Sequence, residues 1–138
     1  MKGVKKSKAI WIIIAVAAIV LISYLIYNYA TKSPTGYTDV SPAEAKALID
    51  DNPDLIIIDV SPAYDQGHLP GAVNYYIGDG TLDAALANLE PNAMYLVYCH
   101  VMSASVSGAQ KLIDAGFTKV YRLEGEYDAW VDAGYTIE

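Results

Sequence analysis

The chain of 138 residues has only one cysteine, one arginine and one phenylalanine: Cys99, Arg122 and Phe117. A single cysteine cannot form a disulfide within the chain, so the fold is not a disulfide scaffold. A single arginine argues against a site that clamps a phosphate between paired guanidinium groups. Cys99 is therefore either a small buried apolar side chain, which is the commonest role of a lone cysteine, or a nucleophile.

Acidic residues are missing from the first 32 positions, which carry five lysines. The formal net charge of the whole chain is −7, so residues 33–138 carry −12 once the +5 of the first segment is removed. A domain this acidic repels polyanions at long range, and we expect no nucleic-acid partner. Residues 33–138 have the length of one domain and can bury a core.

Charge of either sign is missing from residues 9–29, which are mostly apolar. A helix of this length spans a hydrocarbon core of about 30 Å. The run is longer than the apolar part of a signal peptide, which favours a retained transmembrane helix over a cleaved segment. The lysine bias predicts a single-pass protein of the cell membrane, with a basic cytoplasmic tail at 1–8. A linker at 30–36 then leads to a domain at 37–138 on the outer side of the membrane.

Apolar runs alternate with helical patterns throughout residues 37–138. Strands are predicted at 37–40, 55–60, 72–77, 94–98 and 119–123. Helices are predicted at 42–50, 63–66, 81–89, 105–115 and 126–133. The first of these helices has a clear start, because Ser41 precedes Pro42 and Glu44 lies three positions after the serine. The alternation predicts a three-layer α/β/α domain with a central parallel sheet.

Cys99 directly follows the predicted strand at 94–98 and precedes a predicted helix. Ligands of parallel sheets bind beyond the carboxyl ends of the strands, so this is the expected place for a site. Backbone N–H groups at a helix start favour a thiolate, and we expect them to lower the pKa of Cys99 and make it nucleophilic. The remaining residues of the predicted substrate-binding loop are His100, Val101, Met102, Ser103, Ala104 and Ser105.

Other candidate sites are weaker. Cys99, His100 and His68 are too few ligands for a zinc site, and their spacing matches no metal motif. Asp59, at the end of the predicted strand 55–60, is a candidate acid or a turn cap. His68 is expected to stabilise the turn at 67–71. The sequence has no glycine-rich phosphate loop, and we predict neither a metal nor a cofactor.

The order of several short segments resembles that of single-domain rhodaneses. These segments are Asp59-Val60, Gly67 to Asn74 (GHLPGAVN), Leu96 to Cys99, Ala115 to Phe117, Val120 to Gly125, Ala129-Trp130 and Ala133 to Tyr135. The resemblance implies a rhodanese-like α/β fold and sulfane-sulfur transfer. Cys99 would carry a persulfide between a sulfur donor and a thiol acceptor, with Asp59 and His68 as possible supporting residues.

The segment after Cys99 departs from the pattern of active family members, in which a loop similar to CRxGxRS follows the cysteine. At the matched positions His100 and Ala104 replace the two arginines, Met102 replaces the glycine, and Ser105 is retained. In the tail, the usual Gly-Gly is Gly125-Glu126. A lost charge-assisted hydrogen bond costs about 1.5–3 kcal/mol. We therefore expect thiosulfate to be a poor donor, and a polysulfide, or a neutral or protein-borne persulfide, to be a better one.

The sequence leaves three functions open. The first is a membrane-anchored sulfurtransferase or persulfide carrier that uses Cys99. The second is a rhodanese-like binding module without catalysis, or a subunit that binds a membrane protein partner. The third is a phosphatase of the related Cys-loop type, which is disfavoured because phosphate binding needs arginine and the loop has none.

Overall fold

The computed structural model describes residues 4–30 and 36–138, with side chains at 10–24 and 36–138. The chain divides into two compact units, Met1–Lys32 and Ser33–Glu138. The first unit contains one helix, α1 (Val4–Ala30), which begins within the predicted basic tail at 1–8. In the part of the chain that the structure describes, no helix has both the length and the hydropathy that crossing a membrane requires. The predicted transmembrane helix at 9–29 is therefore not supported, and most of the predicted linker at 30–36 lies outside the described residues.

The second unit is built on a parallel sheet of five strands. The strands are β1 (Thr38–Val40), β2 (Ile56–Asp59), β3 (Val73–Asn74), β4 (Met94–Tyr98) and β5 (Lys119–Leu123). Their order in the sheet is β1-β5-β4-β2-β3, which places β4 at the centre. All residues of β4 after Met94 are fully buried, as its continuous apolar sequence predicts for a strand covered on both faces.

Helices cover both faces of this sheet. They are α2 (Pro42–Asp51), a short 3₁₀ helix (Tyr64–Gln66), α3 (Thr81–Leu86), α4 (Met102–Asp114) and α5 (Glu126–Asp132). On one face, Val97 belongs to a core cluster with residues of α3 and α4. On the other face, Leu96 belongs to a second cluster with residues of α2 and α5. This is the α/β/α arrangement that the sequence predicts.

Three elements of the second unit differ from their predicted bounds by three residues or more, and one of them is α3, which ends at Leu86 instead of 89. β3 contains only Val73–Asn74 instead of 72–77, although Tyr75 N–H and Ile77 N–H still donate to the carbonyls of Asp59 and Val60. The helix predicted to begin at Ser105 begins at Met102, because the first turn is closed by hydrogen bonds to the carbonyls of Val101 and Met102. Four of the six residues of the predicted loop after Cys99, Met102 to Ser105, therefore belong to the first turn of α4.

The start of α2 is a complete capping box, as predicted. Ser41 Oγ accepts a hydrogen bond from Glu44 N–H at 3.4 Å, and Glu44 Oε2 accepts one from Ser41 N–H at 2.8 Å. The two bonds satisfy two backbone donors that a helix start otherwise leaves unpaired. The hydrogen bonds from Ser41 also lower the pKa of the Glu44 carboxyl.

Ser41→Ala is expected to lower the free energy of unfolding by about 0.5–2 kcal/mol, because the cap acceptor is lost. Since the folded-state pKa of Glu44 is lowered, its contribution is complete above the unfolded pKa and is lost as the pH falls through the folded pKa. The difference between wild type and variant should therefore shrink at acid pH. Denaturant unfolding at several pH values checks this. Ser107→Ala, which removes an exposed hydroxyl from the interior of α4, should cost almost nothing.

Candidate active site

Cys99 lies where the central strand β4 ends and the connection to α4 begins. The residue is fully buried, and it packs in the core cluster on the face of the sheet covered by α3 and α4. Its backbone is fixed on both sides: Cys99 N–H donates to Glu126 Oε2 at 3.0 Å, and its carbonyl accepts from Tyr127 N–H at 3.0 Å. The sheet and α5 together therefore hold this cysteine in one position.

The pKa of the Cys99 thiol is raised, and the prediction of a lowered pKa is wrong. Burial is the largest cause of the increase, and the carboxylates of Asp59 and Glu126 add to it. Hydrogen bonds from the backbone N–H groups of Val101 and His100 act in the opposite direction without overcoming burial. Cys99 is therefore expected to rest as a neutral thiol at neutral pH.

Glu126, the first residue of α5, is a buried carboxylate next to Cys99. Besides accepting from Cys99 N–H, it accepts from Ser105 Oγ at 2.5 Å and from Arg122 Nη1 at 3.0 Å. Its φ of +64° is in the left-handed region that glycine adopts most easily, and it is the only non-glycine residue with a positive φ in the described part of the chain. A strained backbone at this position indicates that the surrounding hydrogen bonds hold Glu126 there.

Arg122 does not face an anion-binding site. The guanidinium is buried between two carboxylates, with Nε donating to Asp39 at 2.7 Å and Nη1 donating to Glu126. These two acids outnumber the single positive charge, so the group supplies no free cation for an anionic substrate. The hydrogen bonds and the ion pair of Glu126 lower the pKa of its carboxyl, but burial has the larger effect, and the pKa is raised.

Asp59 and His100 face each other on the other side of Cys99. Asp59 is fully buried at the end of β2, where its Oδ1 accepts from Ser61 N–H at 2.8 Å. Its Oδ2 lies 3.8 Å from His100 Nε2. The imidazole of His100 stacks on the ring of Tyr127, with 4.2 Å between centroids and 15° between planes.

The other residues of the predicted loop differ in exposure. Val101, Met102 and Ser103 are exposed, and Ala104 is half-buried. Ser105 is buried, and its hydroxyl contacts both the Met102 carbonyl and Glu126. The loop therefore exposes apolar side chains next to Cys99, with Val101 57% and Met102 65% exposed, and its sequence contains no lysine or arginine.

His68 contacts a different part of the domain. Its ring stacks on Tyr64, and its backbone exchanges two hydrogen bonds with Glu138, both 2.9 Å long. These contacts fix the turn at 67–71, as the sequence predicts, and they tie the turn to the C-terminal segment. Among the described residues, no cluster of three or more histidine, cysteine or acidic side chains is arranged to hold a metal ion.

Comparison with known proteins places this architecture in a family. The family description "Rhodanese-like domain" matches residues 41–133, which contain strands β2 to β5 but not β1. The chain belongs to the rhodanese-like family. One relative, the thiosulfate sulfurtransferase GlpE of Pseudomonas entomophila (strain L48), is 30% identical over 91 residues, which are 66% of this chain and 82% of the relative.

Solved rhodanese-like structures share the fold. The Alr3790 protein of Anabaena sp. is 27% identical with a TM-score of 0.66, covering 72% of this chain and 81% of that one. The homodimeric polysulfide-sulfur transferase of Wolinella succinogenes is 23% identical with a TM-score of 0.63, covering 85% of this chain and 88% of the other. The second similarity concerns the fold alone.

Within this rhodanese-like frame, the sequence indicated Cys99 but missed the role of Glu126. The signal was present, since Glu126 occupies the second position of the usual Gly-Gly pair. The positive φ explains why glycine suits this position. What the sequence could not show is that this carboxylate reaches back to the backbone of a cysteine 27 positions earlier.

Proposed function

We propose that this protein is a sulfurtransferase or persulfide carrier that holds sulfane sulfur on Cys99. The observation that carries the proposal is the position of Cys99 at the carboxyl end of the central strand, with the N–H groups of His100 and Val101 directed at its sulfur. Backbone N–H groups at a helix start stabilise a sulfur atom that bears negative charge, whether thiolate or terminal persulfide. The thiosulfate sulfurtransferase of Pseudomonas entomophila, at 30% identity, supports this class of reaction.

The charges around Cys99 favour donors other than thiosulfate. Asp59 and Glu126 both act on Cys99 as negative charges, and the only arginine is already paired with two acids. A dianion that approaches this site meets repulsion without a compensating cation. The proposed donors are therefore a neutral or protein-borne persulfide, or a polysulfide, and the proposed acceptor is a thiol.

We further propose that α1 anchors the domain to the cell membrane, with the N-terminus in the cytoplasm and the domain outside. The support comes from the sequence, in which residues 9–29 carry no charge and four lysines precede them. The full chain should then stay in the membrane fraction after alkaline carbonate extraction, and protease added to intact cells should cut the domain. Release by carbonate would overturn the anchor.

Sulfur loading tests the proposed function. The full chain is incubated with polysulfide, and intact-protein and peptide mass spectrometry then locate any added sulfur. We expect a gain of one sulfur atom on the peptide that contains Cys99, and no gain in Cys99→Ser. An unmodified Cys99 at every donor concentration would overturn the proposal.

A non-catalytic binding module is the second candidate. The observation in its favour is the loop itself, which lacks both arginines of active family members, while Glu126 replaces the usual tail glycine. A module of this kind, for example a subunit of a membrane complex, would keep its cellular function in Cys99→Ser. Loss of function in that variant would favour sulfur transfer instead.

A further inference from the structure

Asp59 Oδ2 and His100 Nε2 are the two buried side-chain atoms without a hydrogen-bond partner in the part of the chain that the structure describes. They lie 3.8 Å apart and face each other. Leaving a buried polar group unpaired is costly, and a small rotation of either side chain joins these two atoms in a hydrogen bond. The pair therefore behaves as a carboxylate–imidazole couple directly beside Cys99.

Both members of this couple are held by their surroundings. Asp59 is fixed by Ser61 N–H at one oxygen, and its carbonyl accepts from Asn74 Nδ2 at 3.0 Å. The ring of His100 lies flat against Tyr127. His100 directly follows Cys99 in the chain, and its backbone N–H is one of the groups that lower the pKa of the Cys99 thiol.

The carboxylate decides which ring nitrogen carries the proton. A lone pair on Nε2 would repel Asp59 Oδ2, whereas an Nε2–H group is attracted to it, so the ring is held in the Nε2–H form. Nδ1 is then the basic atom. The His100 side chain is 21% exposed whereas Nε2 is buried, so solvent reaches this ring on the side away from Nε2.

We propose that His100 Nδ1 accepts the proton of the incoming acceptor thiol, and that Asp59 is the positioning residue that holds the imidazole for this step. The inference rests on the proposed function. It names the base for the second half of that reaction, in which sulfur passes from Cys99 to the acceptor thiol. In active family members, as the resemblance of the sequence implies, an arginine occupies the His100 position. Arginine does not lose its proton in proteins, so the histidine gives this chain a base that such a loop lacks.

The step balances without an added oxidant or reductant. The thiol proton moves to His100 Nδ1, and the acceptor sulfur attacks the outer sulfur of the Cys99 persulfide. The bond between that outer sulfur and Cys99 Sγ breaks, and its electron pair stays on Sγ. The acceptor leaves as a persulfide, and the proton on His100 passes to solvent or to the Cys99 thiolate.

The charges near Cys99 explain why transfer to an acceptor thiol requires a base. An alkyl thiol has a pKa of about 8.5 and is mostly protonated at neutral pH. Arg122 is already bound to Asp39 and Glu126. Among the described residues, the other titratable groups around the His100 ring and Cys99 lie in β2, at the end of β4 and in α5, and none of them carries a positive charge. They are Asp59, Tyr98, Cys99, Glu126 and Tyr127. An acceptor therefore enters most easily as the neutral thiol and must lose its proton inside the site.

Two acceptors separate a base from a structural residue. The full chain is loaded with polysulfide, loading on Cys99 is confirmed by mass spectrometry, and one round of transfer is followed at pH 7. One acceptor is 2-mercaptoethanol, an alkyl thiol that is mostly protonated, and the other is thionitrobenzoate, an aromatic thiol that is already ionised. We expect His100→Gln to slow transfer to the alkyl thiol by about tenfold or more and to change transfer to the aromatic thiolate by less than about twofold.

The pH dependence and a second variant sharpen the test. The defect of His100→Gln with 2-mercaptoethanol should disappear as the pH rises above the pKa of that thiol, because the base is no longer needed. Asp59→Asn should show a smaller defect with the same acceptor only, since the imidazole remains but is less firmly oriented. Equal slowing with both acceptors, or no slowing with either, would overturn the role of His100 while sulfur loading on Cys99 still stood. Absence of loading in the wild type would overturn the proposed function and this inference together.

Discussion

Arg122→Met is expected to lower the free energy of unfolding by about 3–5 kcal/mol, the cost of removing one partner of a buried ion pair. The guanidinium is only 8% exposed, and it neutralises Glu126, which is 7% exposed. Without it, the buried carboxylate either stays charged without a cation or takes up a proton at a cost in free energy. Methionine fills a similar volume, so the loss reports charge more than packing.

A double variant and a surface control complete this measurement. Arg122→Met combined with Glu126→Gln should recover much of the lost stability, because no buried charge is left unpaired. Lys46→Met breaks the exposed Lys46–Asp50 pair and should cost less than about 1 kcal/mol. Chemical denaturation followed by near-ultraviolet circular dichroism gives the free energy of unfolding of the wild type and of the three variants. A loss below 1 kcal/mol in Arg122→Met would show that the buried network contributes little to stability.

Glu126→Gln is expected to lower the pKa of Cys99 and to raise the rate with anionic sulfur donors by about ten- to a hundredfold. Glu126 is the weaker of the two carboxylates that raise the pKa of this thiol by charge repulsion. Like charges about 4 Å apart repel by about 1 kcal/mol in water and by about 4 kcal/mol near a protein surface. Each 1.36 kcal/mol is a factor of about ten in rate. Glu126→Gly should act in the same direction and also relieve the positive φ.

Alkylation of Cys99 separates the two effects of the Glu126 charge, on the pKa of the thiol and on the approach of anions. The pH dependence of the iodoacetamide rate gives the pKa of Cys99, and the ratio of iodoacetate to iodoacetamide rates reports the local charge independently of the thiolate fraction. Asp128→Asn neutralises an exposed carboxylate two positions away on α5 and should leave this ratio nearly unchanged. An unaltered ratio in Glu126→Gln would contradict the proposed charge barrier against thiosulfate.

The free energy of unfolding of Glu126→Gln should lack one pH-dependent change that the wild type shows. Burial raises the pKa of Glu126 above its unfolded value, so the native state binds more protons than the unfolded state between the two pKa values. Wild-type stability therefore falls as the pH rises through that window, and the favourable contribution is present only below it. In Glu126→Gln, that decrease should be absent.

Local sequence patterns predicted the sheet well because they report burial along a short segment. The strands at 94–98 and 119–123 have the predicted bounds, and the helix start at Ser41 is formed by the residues that predicted it. β3 is shorter than predicted, because it lies at the edge of the sheet and the chain after Asn74 pairs only irregularly. Patterns of this kind carry no information on where an edge strand stops pairing.

The electrostatics of the site could not be predicted in the same way. The helix start next to Cys99 suggested a lowered pKa, but the fold buries the thiol and brings two carboxylates to it. Asp39 lies in β1 and Glu126 begins α5 shortly after β5, and the pairing of β1 with β5 brings these distant segments together. Only the three-dimensional arrangement shows that they enclose the sole arginine. The roles of Cys99, its loop and Asp59 in catalysis remain predictions that the variants above test.

The strand order affects how long the Cys99 thiol stays exposed while the chain is synthesised and folds. β1 pairs with β5, so Thr38 cannot form its hydrogen bonds in the sheet until the segment around Tyr121 has been synthesised. Pairing across so large a separation is slow, because loop-closure entropy is lost before the contacts reward it. β5 and Glu126 follow Cys99 in the chain, so they leave the ribosome after it. The nascent thiol therefore passes through a period as an unprotected cysteine, open to oxidants, until the last quarter of the chain folds over it.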